Sequence, residues 1–456
     1  MRTIHIEFSD ERLITPSGLV FVGQILGNSD FVKKINTAPI SNDYLQKHIK
    51  NGDVLLTYIG MLCQGKPQYE AVREMVDDPE YYQYALGIVK AIPSAETLRQ
   101  RFDMIGDTLR KDILQANVDM LREMNIEPSA LDNGYVPVDI DVTPFDNSKT
   151  KKEGVSRTYK GFDGFAPIMA YIGTEGFLVN TELRIGKQHC QKDTPDFLRE
   201  TIELCRQLTD KPLLIRLDSG NDASENIGIF MEESYKYNNV SFIIKRNPRQ
   251  ESKEEWLRSV KDCCTNIQIP REGKTVYIGQ TFRDVTYTCP DSTIKTVGIR
   301  TVYEITERTI DKHGQYYMIP DIELGTYWCN LPLPDQEIID LYHAHGESEQ
   351  YHSEIKTDMD VERLPSGKLE SNKLVLELTM MAYNILRIIG NESLKKRDDP
   401  LKKNVRRRRI RTVISNLMQF AGHLTEHAGR LVLAIGKSNR WRFTFKRIYD
   451  SLALVT

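Results

Sequence analysis

The sequence predicts an α/β protein: a mixed sheet flanked by helices, interrupted by an all-β insertion domain and preceded by a mostly helical N-terminal region. Three observations carry this. Strand-like runs joined by short turns cluster between 136 and 186, helix and strand patterns alternate from 193 to 247, and 246–335 holds aromatic and β-branched alternation without a helical period. At 456 residues the chain exceeds one ordinary core of ~100–150 residues, so two to four structural units are expected. Apolar residues make up 40%, enough to fill such cores.

The opening 1–50 reads as strand-rich, with TIHIEF and GLVFVGQIL as strand candidates around the turn signal TPSG. Helical periods follow in DVLLTYIGMLCQG, YEAVREMV, YYQYALGIVKAI and a long run from Ser94. In IPSAETLRQRF, Pro93 stops one element, Ser94 is placed to cap the next, and Glu96 falls in its first turn. Arg99, Gln100 and Arg101 follow, which leaves two readings of equal weight, a helix-turn-helix-like DNA contact or an ordinary bundle helix.

After EPSALDNGY the character changes. VPVDIDVTPFD, APIMAYIG and GFLVNTELRIG form an antiparallel meander, with the polar loop NSKTKKEGVSRTYKGFDG inside it. DTPDFLRETIELCRQL, PLLIRLDSG, NIGIFMEESYKY and VSFIIKRN continue as helix, strand, helix and strand. A meander followed by αβαβ is the order of an RNase H-like mixed sheet. Helices resume at Pro334, through YHAHGESEQYHSEIK and then the apolar LVLELTMMAYNILRIIG. The units expected are 1–130, mostly helical and, on the first of those readings, DNA-binding; 131–245, the first part of the core; 246–335, the insertion; 336–392, the second part of the core; and 393–456, a basic C-terminal region.

Composition excludes several classes. Seven cysteines form no CxxC pair and are odd in number, against a disulfide framework or a structural zinc module. No window approaches the ~18 apolar residues of a membrane span, and MRTIHIEFSDERL carries charges where a leader needs an apolar stretch, so a soluble, cytoplasmic protein without a membrane partner is expected. Net charge is −3, but Lys395–Asp450 holds sixteen Lys/Arg against four acids. That local excess, with the interleaved NRWRFTFKRIY, points to phosphate contact.

Three acids sit at the ends of elements. On a strand, side chains alternate faces, so Asp139 and Asp141 in VDIDVT share one side. Asp218 closes the apolar strand LLIRLD, where ligand chemistry is usual in open α/β sheets. Asp222 in DSGND reads as a turn cap. On a continuous α-helix Tyr342, His345, Glu349 and Lys356 would fall on one narrow face. Laid along the sheet edge, that stripe brings Glu349 toward Asp141 and Asp218.

These residues carry a resemblance. Asp, Asp, an all-β insertion, then Tyr-x2-Arg-x3-Glu-x6-Lys is the signature of DDE transposases of bacterial insertion sequences, the cut-and-paste group with an RNase H-like catalytic core. Here the helix reads Tyr342-x2-His345-x3-Glu349-x6-Lys356, with His in place of Arg. The resemblance implies Asp141, followed by Thr143, as first catalytic acid with Asp139 as its rival, Asp218 as second and Glu349 as third. It implies that the three hold two Mg2+ or Mn2+ ions, and that Tyr342, His345 and Lys356 hold DNA phosphate. His345 offers a weaker contact than arginine's fixed charge and fork of donors. Partners implied are double-stranded DNA, as terminal inverted repeats and target, and a second copy of the chain bridging two ends, acting at the bacterial nucleoid. A catalytically inactive DNA-binding relative and a nuclease of the same fold without strand transfer are the alternatives.

Other signals read more plainly. His343, His345 and His352 are badly spaced for one zinc ion, and His423 with His427, at i and i+4 on an expected helix, lack a third ligand. Trp328 is expected to be a buried aromatic closing the insertion.

Overall fold

The computed structural model describes residues 4–40, 48–237, 239–289 and 291–454. Its centre is a nine-stranded mixed sheet built from β1 (Val136–Val142), β2 (Ile168–Ile172), β3 (Phe177–Glu182), β4 (Leu213–Leu217), β5 (Val240–Arg246), β6 (Asn266–Arg271), β7 (Lys274–Thr288), β8 (Ile294–Ile310) and β9 (Tyr316–Cys329). The spatial order is 6-7-8-9-5-4-1-2-3. Strand β1 runs parallel to β4 and β4 to β5, whereas β2, β3 and β9 join antiparallel.

Strand β1 is interior to the sheet and nearly all buried, which suits its β-branched run. Pro137 is tolerated near its start, where the Pro137 carbonyl still accepts from Gly173 N at 2.9 Å. The register Val136↔Leu213 through Ile140↔Leu217 sets two cross-strand pairs on one face. Asp139 lies opposite Arg216, and one step past the last pair Asp141 stands beside Asp218, at the shared carboxyl edge.

The stretch 246–335 differs from the expected separate all-β unit in two ways. A helix, Lys253–Lys261, opens it, capped by Ser252, whose side chain accepts from Glu255 N. Its last strand, β9, pairs with β5 from Thr326↔Arg246 to Cys329↔Ile243, so the long strands extend the core sheet.

The central helix Leu369–Leu394 is buried along most of its length because the sheet packs against it together with helices from both the N-terminal and C-terminal regions. One apolar cluster runs from Ile14 through the N-terminal helices and sheet to Leu452. GLVFVGQIL, read as a strand, is the helix Leu19–Gly27. Its buried residues Phe21, Val22, Ile25 and Leu26 repeat at helical spacing, and a Cβ on Gly23 would meet the Ala85 carbonyl at 1.9 Å. Ile4–Phe8 of TIHIEF form no strand, and Thr3 lies outside the described residues; the strand there is Arg12–Ile14. Helix Ala95–Ile105 is capped by Ser94 as expected, but it belongs to the bundle. Arg101 is buried with Nη1 2.5 Å from Asn51 Oδ1, and Arg99 pairs with Glu70 at 2.8 Å.

In the run KKNVRRRRIRTVI, residues 402–414, four arginines meet acids of the chain, while Lys402, Lys403 and Arg406 form no ion pair among the described residues. Arg407 Nη1 lies 2.6 Å from Glu354, Arg408 Nη2 3.0 Å from Asp399, and Arg409 Nε 2.8 Å from Asp358. His423 and His427 lie on a strand, Gly422–His427, not on a helix, since the segment pairs antiparallel with Arg430–Ile435.

Candidate active site

The segment expected as one signature helix is wound three ways: α over Asp335–His343, a 3₁₀ turn over Ala344–Glu347, α over Ser348–Ser353, and a π turn over Glu354–Asp358. Overwinding and underwinding offset one another. Tyr342, His345, Glu349 and Lys356 therefore still line one cavity of about 930 Å³, although the α-helical arithmetic does not hold along the way. Asp141 and Asp218 line the same cavity, brought there by the parallel register of β1 and β4.

Asp139 does not line that cavity, although it shares a face with Asp141. It is buried, receives both Nε and Nη2 of Arg216 at 2.6 and 2.7 Å, and lies 2.9 Å from His345 Nδ1. Burial works against its charge, but Arg216 and His345 outweigh that and hold its pKa below the ordinary carboxylate value. Arg216 also donates to Leu341 O at 2.8 Å, tying this pair to the signature segment. His345 is accordingly buried, with one ring nitrogen given to Asp139 and the rest of the ring on the cavity wall.

Asp141 keeps an open carboxylate. His352 Nε2 approaches Asp141 Oδ2 at 3.5 Å, while His352 Nδ1 lies 3.3 Å from the Tyr171 hydroxyl. Burial raises the Asp141 pKa, yet His352 and His345 bring it below the usual value. Asp218 goes the other way. Burial and then the charge of Asp141 raise it, against the hydrogen bond from Asn221 at 2.8 Å. Two neighbouring acids share an edge with too little positive charge to offset them both.

Glu349 is exposed, on a ridge between this cavity and a second of about 680 Å³ lined by Asp139, Arg216, Arg406 and Arg407. Tyr342 packs against Tyr327 at 4.9 Å, and burial raises its phenol. Lys356 lies 3.6 Å from Glu362 and 5.7 Å from the centre of the Phe145 ring. Trp328 is buried, its Nε1 donating to Asp222 Oδ1 at 2.8 Å, and Asp222 also accepts from Asn247 N at 2.9 Å.

Asp141, Asp218 and Glu349 supply the oxygen ligands that Mg2+ and Mn2+ prefer, and the unrelieved charge beside Asp218 is what a cation would neutralise. Among the described residues, no three His, Cys, Asp or Glu side chains stand ready to close on one ion. The fit is therefore one of chemistry and placement.

The family described as Transposase DDE domain group 1 matches residues 1–456. The chain belongs to this transposase family. No curated protein is significantly similar to it. Among solved structures, the cryo-EM structure of a piggyBac transposase synaptic complex with hairpin DNA matches at 12% identity and a TM-score of 0.39, over 96% of this chain and 84% of that one. Likeness that loose locates no residue in this transposase.

Sequence reasoning missed two parts of this transposase's site. His352 sits one turn after Glu349, and that i, i+3 spacing was the available signal. Tyr159 and Lys160 reach the cavity from the polar loop after Asp141, whose turn no local pattern aims.

Proposed function

We propose that this transposase cuts DNA phosphodiesters at the ends of an insertion sequence and joins the freed 3′ ends to target DNA, the cut-and-paste route, with Asp141, Asp218 and Glu349 as its metal-holding acids. The observation that supports this is that the three, far apart in sequence, line one cavity at the carboxyl edge of the sheet. A bound pair of Mg2+ or Mn2+ ions would activate the attacking water or 3′-hydroxyl and stabilise the leaving oxygen.

The protein's own groups divide the remaining work. Asp141 and Asp218 present adjacent carboxylates from a rigid parallel edge, where the Val142 amide donates to Asp141 Oδ1 at 2.7 Å and His352 stands beside it. Glu349 completes the set from the opposite side of the cavity, on a segment fixed beneath by Asp139, Arg216 and His345. Lys356 and Tyr342 flank the acids and meet the backbone phosphates. His345 meets them only through the ring edge that Asp139 leaves free. Double-stranded DNA is the substrate, and two copies of the chain bridge two ends at the nucleoid.

The test is incubation of wild type and Glu349→Gln with duplexes from the DNA flanking its coding sequence, in Mg2+ or Mn2+. Wild type nicks and joins ends, and the variant loses at least ~100-fold in rate. Nicking without joining leaves a nuclease, and binding without nicking leaves a DNA-binding protein; either outcome sinks the proposal.

A further inference from the structure

The catalytic cavity has a second wall opposite the signature segment. After Asp141 the chain forms a small sheet in which Phe145–Asp146 and Ser156–Arg157 both pair with Asp163–Phe165. The turn between Ser156–Arg157 and Asp163–Phe165 is rigid: Thr158 N and Oγ1 donate to Phe162 O at 2.9 and 2.8 Å, and Gly161, at φ +82°, donates to Thr158 O at 3.0 Å. The backing is equally tight, since a Cβ on Gly164 would lie 1.9 Å from Phe145 O and one on Gly186 2.2 Å from Ser156 O. The turn residues Tyr159 and Lys160 thus keep a fixed place relative to Asp141.

Both side chains are exposed yet aimed into the cavity. The Tyr159 hydroxyl donates to Val142 O at 3.2 Å, pinning at the lip a ring that is 70% exposed. Burial of the hydroxyl, followed by the charges of Asp141, Asp218, Cys190 and Glu349, pushes this phenol up to about 12, and Tyr159 lines the same cavity as the three acids. Lys160 makes no ion pair among the described residues, resting 5.9 Å from the Tyr159 ring. Its charge adds to burial in lowering the pKa of Lys356 on the facing wall. Glu362, 3.6 Å from Lys356, offsets part of that repulsion, and a phosphate reaching both lysines from the cavity mouth would offset the rest.

We infer that Tyr159 and Lys160 form a strand clamp: Lys160 and Lys356 hold one DNA backbone phosphate between them across the cavity mouth, and the pinned Tyr159 ring stacks on the adjoining base. This rests on the reading of the site as a DNA-cleaving one. It assigns the recognition to a rigid hairpin of the core, where the ring face is open and any base can stack on it.

The experiment uses the full chain and duplexes from the DNA flanking its coding sequence, with 2-aminopurine beside the cut. Anisotropy between 50 and 200 mM salt gives the slope of log K against log salt, and wild-type cleavage is followed in parallel. Lys160→Gln lowers that slope by about 1, the signature of one lost phosphate contact, and Lys160→Arg restores it. Tyr159→Ala abolishes 2-aminopurine quenching, whereas Tyr159→Phe, which keeps the ring, retains it. A Lys160→Gln slope equal to wild type, or quenching that survives Tyr159→Ala, overturns the clamp. A wild type that does not cut overturns the functional reading instead, whatever the slopes.

Discussion

Asp139 and Glu349 carry the same charge and do opposite things. Asp139 is sealed against Arg216, so Asp139→Ala leaves a buried guanidinium without its carboxylate and costs about 3–5 kcal/mol in chemical unfolding. Glu349→Gln, on an exposed side chain, changes stability by no more than about 0.5 kcal/mol. Glu377 makes a third case. It is buried in the central helix with Oε2 unpartnered, and burial, then Asp107, raise its pKa well above the ordinary value, against Arg110 and Lys373. The folded protein therefore holds a proton that the unfolded chain releases near pH 4.5, and stability falls as pH rises from there through the folded pKa. Glu377→Gln removes that loss: its unfolding midpoint matches wild type near pH 4 and exceeds it progressively toward pH 8. At this scale the shared lining of one cavity by Asp141, Asp218, Glu349 and Lys356 was legible from their spacing. Which of Asp139 and Asp141 lines it was not, because Asp139 is drawn away by Arg216, 77 residues distant on the next strand.

At the scale of elements, the π turn Glu354–Asp358 is held by the basic run. Glu354 accepts from Arg387, from Arg407 at 2.6 Å, from Tyr383 at 3.3 Å and from Ile410 N at 3.2 Å. Glu354→Ala strands a fully buried Arg387 and costs about 3–5 kcal/mol, while Arg409→Ala, on a side chain 53% exposed, costs no more than about 1 kcal/mol. Denaturant midpoints of the two variants check the contrast. Elements with a periodic face and a stop signal, such as Thr194–Arg206 and Leu213–Leu217, were readable from the sequence. Leu19–Gly27 was not, because a short apolar run suits a buried strand or a buried helix alike until its neighbours are known. The acids that four arginines of the basic run meet were not legible for a related reason: composition records a charge but not its partner.

For the whole molecule, the continuity of β5 with β9 makes the long strands part of the core. Amides of Thr326–Cys329 are expected to exchange hydrogen as slowly as those of Leu213–Leu217, whereas the exposed edge strand Asn266–Arg271 exchanges fastest. Equal, fast exchange throughout 266–329 would show the stretch opening as a unit of its own. The broad α/β order was visible in the sequence because each strand and helix carries its own period. The joining of the insertion to the sheet was not, since it depends on four pairs between strands some 80 residues apart. The clamp on Glu354 also bears on the order in which the site is completed during synthesis. Arg407 follows Glu354 by 53 residues, so at ~5–20 residues per second the ribosome takes roughly 3–10 s more to make the partner that steadies the segment carrying Glu349. A nascent chain thus holds its acids before it can hold them still, and the finished site waits on Arg407.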